Sequence, residues 1–421
     1  MSIFYTKKTL RDIDQNILRD FNEKTLRVID DTSLDDERLY DLIRHPLTTN
    51  VFRFYVLNED ETINYEIPLE DIVKERTSYQ ETYQQGVRRN VTLTLINIDG
   101  KYTPNINGIW LNTKFRFDVG IKFGNAIKWW RKGVYVINDP TQTRNLSENI
   151  VEYQLSDKFD RLIGNSGILD SVYEIPVGSN IKTAIRSILD LKYYADMSID
   201  SIPIIYDSSF EGKKTPHTLT KDANSTLGDI ILDLAYMLNA ECYYNEYGNL
   251  CVIPMSTAVD DYNKPILWHF MENKEGEIEH SGEVIQYNFP NAINEIHVVG
   301  DNINGDIASA MVQNVNSASP LSIDYIGRRV KRIEDSNITT DQQAEERCQY
   351  ELRFASILST NITIQSYFIP FLECNSIIEV DDGFLSWKKE PLLIKGLSFN
   401  LSDGSVMSLN CCNIKNLPFA L

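Results

Sequence analysis

Asn224–Pro254, NSTLGDIILDLAYMLNAECYYNEYGNLCVIP, is the stretch from which the remainder of the chain is best read. Leu227, Ile230, Ile231, Leu234, Ala235 and Leu238 recur at helical spacing, so one face of a helix is apolar and must pack on a neighbouring layer. Thr226 supplies an N-cap, and Asp229 three residues on completes a capping box. Past Asn239 the period changes. Glu241–Tyr244 and Leu250–Ile253 read as short strands joined by the turn-forming run Asn245 to Asn249. The spacing predicts one helix running into one tight hairpin, a packing unit with no catalytic side chain of its own.

On either side of this unit the dominant period is two. VFRFYVLN (Val51–Asn58) and TINYEIP (Thr62–Pro68) predict a hairpin, and Val91, Leu93 and Leu95 alternate with Thr92 and Thr94. In residues 112–123, Phe115, Phe117, Val119, Ile121 and Phe123 point one way, while Lys114, Arg116, Asp118, Gly120 and Lys122 point the other. A polar strand face this regular needs solvent or a partner, so Lys114, Arg116, Asp118 and Lys122 are the candidate interface or lumen residues. Beyond residue 284, INEIHVVG, NITIQSYFI, SIIEVDD, PLLIKGLSFNL and SVMSLNCCNI read as a second set of strands, with Asp403-Gly404 as a hairpin turn. Thr340 and Gln343 cap a helix over TTDQQAEERCQYELRFAS. The polar stretch up to Pro320 reads as a long insertion loop, and DDYNKP (260–265) and ENKEGEIEHSGE (272–283) read as surface loops.

The expected fold class is α+β and mainly antiparallel β, with two barrel- or sandwich-like β domains flanking a mixed middle domain. The divisions fall at 1–48 (a helical arm with Leu10, Ile13, Ile17, Leu18 and Phe21 as its apolar stripe), 49–160, 161–283 and 284–421. At 421 residues the chain is too long for one ordinary core. No run reaches the roughly 18 apolar residues of a membrane helix, so no membrane insertion is expected. MSIFYTKKTLRDIDQN has no apolar h-region behind its two lysines, so no secretory signal is expected.

Sixty acidic against 41 basic residues give a net charge of −19, which opposes a role in coating nucleic acid. It is compatible with a surface that DNA passes without adhering, but on composition alone the favoured reading is an acidic protein kept soluble by its charge. The six cysteines form no C-x-x-C pair and the five histidines are scattered, so no metal ligand set and no cofactor is expected. No phosphate-cradling glycine loop, nucleophile elbow or H-E-x-x-H helix occurs. His217 and His297 stand in no nucleophile context. Asp381-Asp382 and Glu345-Glu346 are adjacent and so diverge rather than converge on one bond. Trp129-Trp130 could form a sugar platform, but neighbouring strand residues face apart: one is expected in the core, the other at an interface. The acidic cluster Asp30, Asp31, Asp35, Asp36 and Glu37 reads as the solvated start of a short helix. No catalytic residue is expected.

Three stretches carry a family resemblance. The first is DGKYTPNINGIW with KGVYVINDPTQTR and VEYQLSDKFDRLIG. The second is STLGDIILDLAYMLNAECYYNEYGNLCVIP. The third runs from NAINEIHVVG through IGRRVKRIEDSNITTDQQAEERCQYEL to FIPFLECNSIIEVDD and PLLIKGLSFNLSDGSVMSLNC. In this order they resemble the baseplate hub and tail-associated proteins of tailed bacteriophages, over most of 50–415. At Cys374-Asn375-Ser376 relatives often carry Gly-Asp, and an Asx residue still turns the chain there. The sequence stops at Leu421, without the long C-terminal extension of siphophage tail-tip relatives, so a receptor-binding or wall-degrading role is not expected from the resemblance.

The resemblance implies a homotrimer whose two β domains per chain alternate around a ring and so match a six-fold tail tube. It implies the tube protein, a spike or tail-tip protein and other baseplate proteins as partners, with DNA only in transit. The location it implies is the virion tail, with assembly in the host cytoplasm. The alternatives are another baseplate component of wedge or distal-tail type, or a carbohydrate-binding or hydrolytic tail protein.

Overall fold

The structure, a computed structural model, describes Ile43 and residues 49–416 except 106–108, 112, 124–125, 195–196, 273–278, 289–291, 303–306, 403 and 405. The expected N-terminal arm and its acidic cluster (Ile43 aside), and Asp403 of the expected turn, lie outside the described residues.

The chain is α+β and mainly antiparallel β. The first half supplies β1 (Thr49–Leu57), β2 (Ile63–Ile67), β3 (Ser78–Thr82), β4 (Arg89–Ile96), β5 (Lys114–Phe123), β6 (Ala126–Arg144) and β7 (Asn149–Asp157). The middle carries the short β8 (Tyr173–Ile175), β9 (Lys192–Tyr194), β10 (Met197–Ser198), β11 (Ile205–Tyr206) and β12 (Leu219–Lys221), then the hairpin β13 (Ala240–Tyr244) and β14 (Leu250–Pro254). The second half supplies β15 (Ile266–Phe270), β16 (His280–Tyr287), β17 (Glu295–Asn302), β18 (Ile307–Gln313), β19 (Val330–Glu334), β20 (Thr360–Ser366), β21 (Ile377–Asp382), β22 (Trp387–Asn400) and β23 (Met407–Asn413).

Strands of both halves belong to one 13-stranded sheet, because β3 pairs antiparallel with the C-terminal part of β22. One core spans that seam. Phe54 stacks on Phe117 at 4.4 Å, Tyr79 on Phe399 at 5.0 Å, and Phe368 meets Phe399 edge-on at 4.8 Å. The alternation of β5 explains its share: Phe115, Phe117, Val119 and Ile121 are all buried there.

The two halves repeat one another. The order β1-β5-β6-β7-β4-β3 recurs as β15-β21-β22-β23-β20-β16. The ladders also agree in register. Ile137 pairs with Leu155 ahead of a bulge in β6, as Ile394 pairs with Cys411 ahead of a bulge in β22. Lys114 opposite Val136 corresponds to Ile377 opposite Leu393, Val91 opposite Leu155 to Ile362 opposite Cys411, and Tyr79 opposite Val91 to Ile285 opposite Ile362. Two differences stand out. β1 runs antiparallel to β5 whereas β15 runs parallel to β21, and the connection from β16 to β20 carries an inserted layer. That layer is the sheet β18-β17-β19 under the helix Asp341–Leu358, which Thr340 caps by accepting from the Gln343 backbone.

The middle unit has its own core, built from the helices Ile181–Leu189 and Leu227–Tyr236 and the β13–β14 hairpin. Both bonds of the Thr226–Asp229 capping box are present. Gly248 turns the hairpin with φ +80°, a conformation that favours glycine.

Three sequence expectations need correction. β18 lies in the stretch read as an insertion loop; it is an edge strand whose inner face needs only Ala308, Ala310 and Val312, so it shows little hydrophobic signal. DDYNKP is largely the helix Ala258–Asn263, capped by Thr257 and Asp260, with Asp261 buried. The division drawn at 283 falls inside β16, and β15 before it already pairs with β21.

Candidate functional site

β5 and β1 place the expected polar face in two different settings. Arg53 sits directly opposite Asp118 in the ladder. The Asp118 carboxylate, fully buried, accepts from Arg53 Nε at 2.9 Å and from Arg116 Nε and Nη2 at 2.7 Å. Two guanidinium groups thus neutralise one buried carboxylate with charge-assisted hydrogen bonds. The Arg53 guanidinium also stacks on Trp129 at 3.9 Å. Trp130, on the other face, packs toward the core near Phe371, so the tryptophan pair divides between the two faces as adjacent strand residues do.

Lys114 is buried as well. Its Nζ donates to the Glu59 carbonyl at 2.9 Å and to Glu61 at 3.2 Å; burial lowers its pKa, Glu61 opposes that shift, and Lys158 and Arg161 reinforce it. Lys122, at the far end of the strand opposite Thr49, is exposed. Of the four expected residues, Arg116 and Asp118 meet directly, Lys114 joins a neighbouring ion cluster, and Lys122 stands apart. At Lys114 and Asp118 the chain itself supplies the cover that was expected from solvent or a second subunit.

At Asp118 the cover is Arg53 and Arg116 of the first half, and at Lys114 it extends through Glu61 to the middle unit. Lys158 bridges Glu61 at 2.6 Å and Asp200 at 2.9 Å, and the Tyr244 hydroxyl donates to Asp200 at 2.8 Å. The Gly248 turn lies against Val134. A second set of ion pairs, which sequence reasoning missed, locks the middle unit and the inserted layer to the sheet. Arg88 pairs with Glu241 at 2.9 Å, Arg89 donates to the Tyr244 carbonyl at 2.7 Å, and the Tyr83 hydroxyl bonds Glu241. Arg353, on the long helix, forks onto Asp261 at 2.5 and 2.9 Å and donates to Tyr83 at 3.1 Å and to Asn375 at 2.8 Å. Asn375 is the turn residue where the resemblance departs from its relatives, and its φ of +68° shows that an Asx residue turns the chain there. The sequence offered one faint signal: Arg88-Arg89 straddles a strand end, so the two must face apart.

This chemistry is adhesive. The buried arginines are matched by carboxylates and hold units together rather than polarise a substrate. Burial raises the Cys251 thiol to about 11 and pushes Cys242 and Cys411 higher, which makes them poor nucleophiles. His297 hydrogen-bonds Glu295, which Arg328 and Gln313 also engage. Among the described residues one group could hold a metal ion: His280, Glu283 and Asp382, from segments that sequence reasoning left as a loop and a strand end.

No family model matches the chain, and no curated protein matches it in sequence. Solved structures do. The 43 kDa tail protein of prophage MuSo2 from Shewanella oneidensis superposes with a TM-score of 0.53 at 13% identity, covering 87% of this chain and 99% of that one. The tail protein from Neisseria meningitidis MC58 superposes with a TM-score of 0.55 at 11% identity, covering 86% and 96%. The fold implied by the sequence resemblance is thus the fold of these two tail proteins, along nearly their whole length.

Proposed function

We propose that this chain is the structural baseplate hub of a phage tail. In this reading it is a homotrimer that joins the tail tube to the spike or tail tip, with other baseplate proteins around it. It encloses part of the channel through which DNA leaves, resides in the virion tail, assembles in the host cytoplasm and performs no catalysis. The likeness to the two tail proteins supports a tail role.

The observation that carries the hub reading is the duplicated half-sheet, with one seam closed and its counterpart open. Within the chain, β3 closes on Gly396–Asn400 of β22. The counterpart of β3 is the edge strand β16, and the counterpart of Gly396–Asn400 is Asp139–Thr143 of β6. Among the described residues β16 pairs only with β20, and Asp139–Thr143 only with β7. Val284 and Tyr287 on the open edge are 66% and 59% exposed. A free edge of this kind is an aggregation hazard unless another strand covers it. Applying the closed register to the open seam sets Thr143 against Val284, Thr141 against Gln286 and Pro140 against Tyr287 of the next copy. The contact is head to tail, and it closes into a three-membered ring where each copy turns by a third of a revolution. Three copies would present six half-sheets, the number a six-fold tube requires. Arg116 and Lys122, the accessible remainder of the β5 face, would then lie toward the lumen or the seam, and the net charge of −19 would keep passing DNA from adhering.

The test is a chain carrying Thr141→Cys and Gln286→Cys, oxidised in the presence of purified tube protein. Expected are disulfides between chains and a native mass of three times 48.4 kDa; the pair Gln142→Cys with Gln286→Cys, on opposite faces, should not link. A chain that stays monomeric beside the tube protein and forms no such link would overturn the reading. So would labelled-particle microscopy that puts it off the tail axis.

A further inference from the structure

We propose that His280, Glu283 and Asp382 bind a divalent transition-metal ion of the zinc type, which ties the edge strand β16 to the end of β21. No backbone ladder joins these strands among the described residues: β16 pairs with β20, and β21 with β15 and β22. The three ligand atoms nevertheless lie within 4.8 Å of one another.

The site is built and buried. His280 and Asp382 are each 5% exposed, and the Glu283 side chain is 8% exposed. Residues three apart on a regular strand face opposite ways, but the ladder of β16 slips between His280 and Glu283 and brings both to one side. The imidazole hydrogen-bonds the Asp381 backbone, an arrangement that orients metal-bound histidines by engaging the nitrogen that does not ligate. His280 Nε2 faces Glu283 Oε1 at 3.2 Å, close to the spacing of two ligands on one tetrahedral ion with bonds of roughly 2 Å. Glu283 Oε1 is buried with no hydrogen-bond partner among the described residues. Glu283 and Asp382 also hydrogen-bond each other, which requires a shared proton when no ion is present; a cation that displaced this proton would take one lone pair from each carboxylate and one from the imidazole.

The repeat shows that the fold does not require this cluster. Glu283 precedes Val284, the counterpart of Ser78, so its own counterpart is Thr77. Asp382 pairs with Trp387 as Val119 pairs with Trp130. Where the first half buries a threonine and a valine, the second buries two carboxylates and adds a histidine. Burying charge is unfavourable unless a counter-charge accompanies it. One nitrogen and two oxygen donors, with no sulfur, suit zinc, manganese, cobalt or ferrous iron, and water would complete the coordination.

The site stands independently of the hub reading, and its test uses metal alone. The purified full chain is stripped with chelator and titrated with Zn(II) by calorimetry, and with Co(II) followed by visible absorption. Expected are one ion per chain by elemental analysis, a thermal midpoint that rises with Zn(II), and the absorption of nitrogen- and oxygen-ligated cobalt. His280→Ala should lose tight binding at least tenfold, and His217→Ala should not. Glu283→Thr with Asp382→Val carries the first half's residues and so keeps the fold, checked by circular dichroism, while binding no ion. If the parent chain binds no more Zn(II) than this double variant, the cluster holds protons and the proposal is wrong. Binding of calcium or magnesium in preference would overturn the metal class.

Discussion

Removing the charge of Asp261 should be among the most damaging conservative changes in the chain. Arg353 and Asp261 are both fully enclosed, and two hydrogen bonds of 2.5 and 2.9 Å join them. Asp261→Asn leaves the guanidinium with uncharged acceptors alone: the new amide oxygen, the Tyr83 hydroxyl and the Asn375 side-chain oxygen. Leaving one member of a buried ion pair uncompensated costs about 3–5 kcal/mol. The reverse change is milder. Arg353→Met leaves Asp261 with the Lys264 ammonium at 2.7 Å, so the loss should be roughly 1.5–3 kcal/mol, that of hydrogen bonds to a charged group. Asp261→Asn combined with Arg353→Met removes both charges, and its cost should fall short of the sum of the single losses by about 2 kcal/mol. Urea unfolding of the four chains, followed by tryptophan fluorescence, measures each term. A loss under about 1 kcal/mol for Asp261→Asn, or strict additivity in the double variant, would refute the claim that this pair fastens the long helix to the rest of the molecule.

Gly248→Ala should destabilise by about 1–3 kcal/mol in a thermal melt, since the new Cβ would sit at positive φ and 2.9 Å from Val134; a neutral outcome would mean that the hairpin tip does not dock on β6. Thr226→Ala removes one half of the capping box and should cost about 1 kcal/mol, with amide exchange speeding first at the start of the Leu227–Tyr236 helix. Glu295 is held at about 2, well below its ordinary 4.5, by hydrogen bonds from Arg328 and, more weakly, His297 and Gln313. A depressed carboxylate stabilises fully above 4.5, and its contribution is lost as the pH falls toward 2. Hydrogen-exchange protection of the β17–β19 sheet, taken relative to the intrinsic rate at each pH, should therefore fall over that window in the parent chain and show no such step in Glu295→Gln.

The elements whose signals are local were readable from the sequence. The capping box at Thr226, the cap at Thr340, the β13–β14 hairpin and the inward phenylalanines of β5 are each specified within a few residues of themselves. What escaped reading depends on distant partners. Asp261 looks like a loop acid until Arg353, 92 positions away, is brought beside it, and Glu241 looks like a strand-surface residue until Arg88 and Tyr83 cover it. The same holds for the polar face of β5: alternation placed Lys114 and Asp118 opposite the core, but nothing local says that Arg53 and Glu61 are waiting there. His280, Glu283 and Asp382 were invisible for a related reason, since a ladder slip and a second segment about a hundred residues on are needed to unite them.

The two seams also differ in the way that the proposed assembly would require. In the closed seam Leu397 and Phe399 are buried and Tyr79 stacks on Phe399, so this junction is core and forms as the chain folds. At the corresponding positions of the open seam, β6 carries Pro140 and Gln142, and Gln142 is exposed. In the proposed trimer this part of β6 would stay in water until a second copy arrived, and a phenylalanine there would invite wrong partners. Proline, which cannot donate to a ladder, further limits promiscuous strand addition. The seam that closes within the chain therefore has the composition of an interior, whereas at the open one β6 has that of a guarded edge and β16 exposes Val284 and Tyr287, the apolar surface that the proposed neighbour would cover.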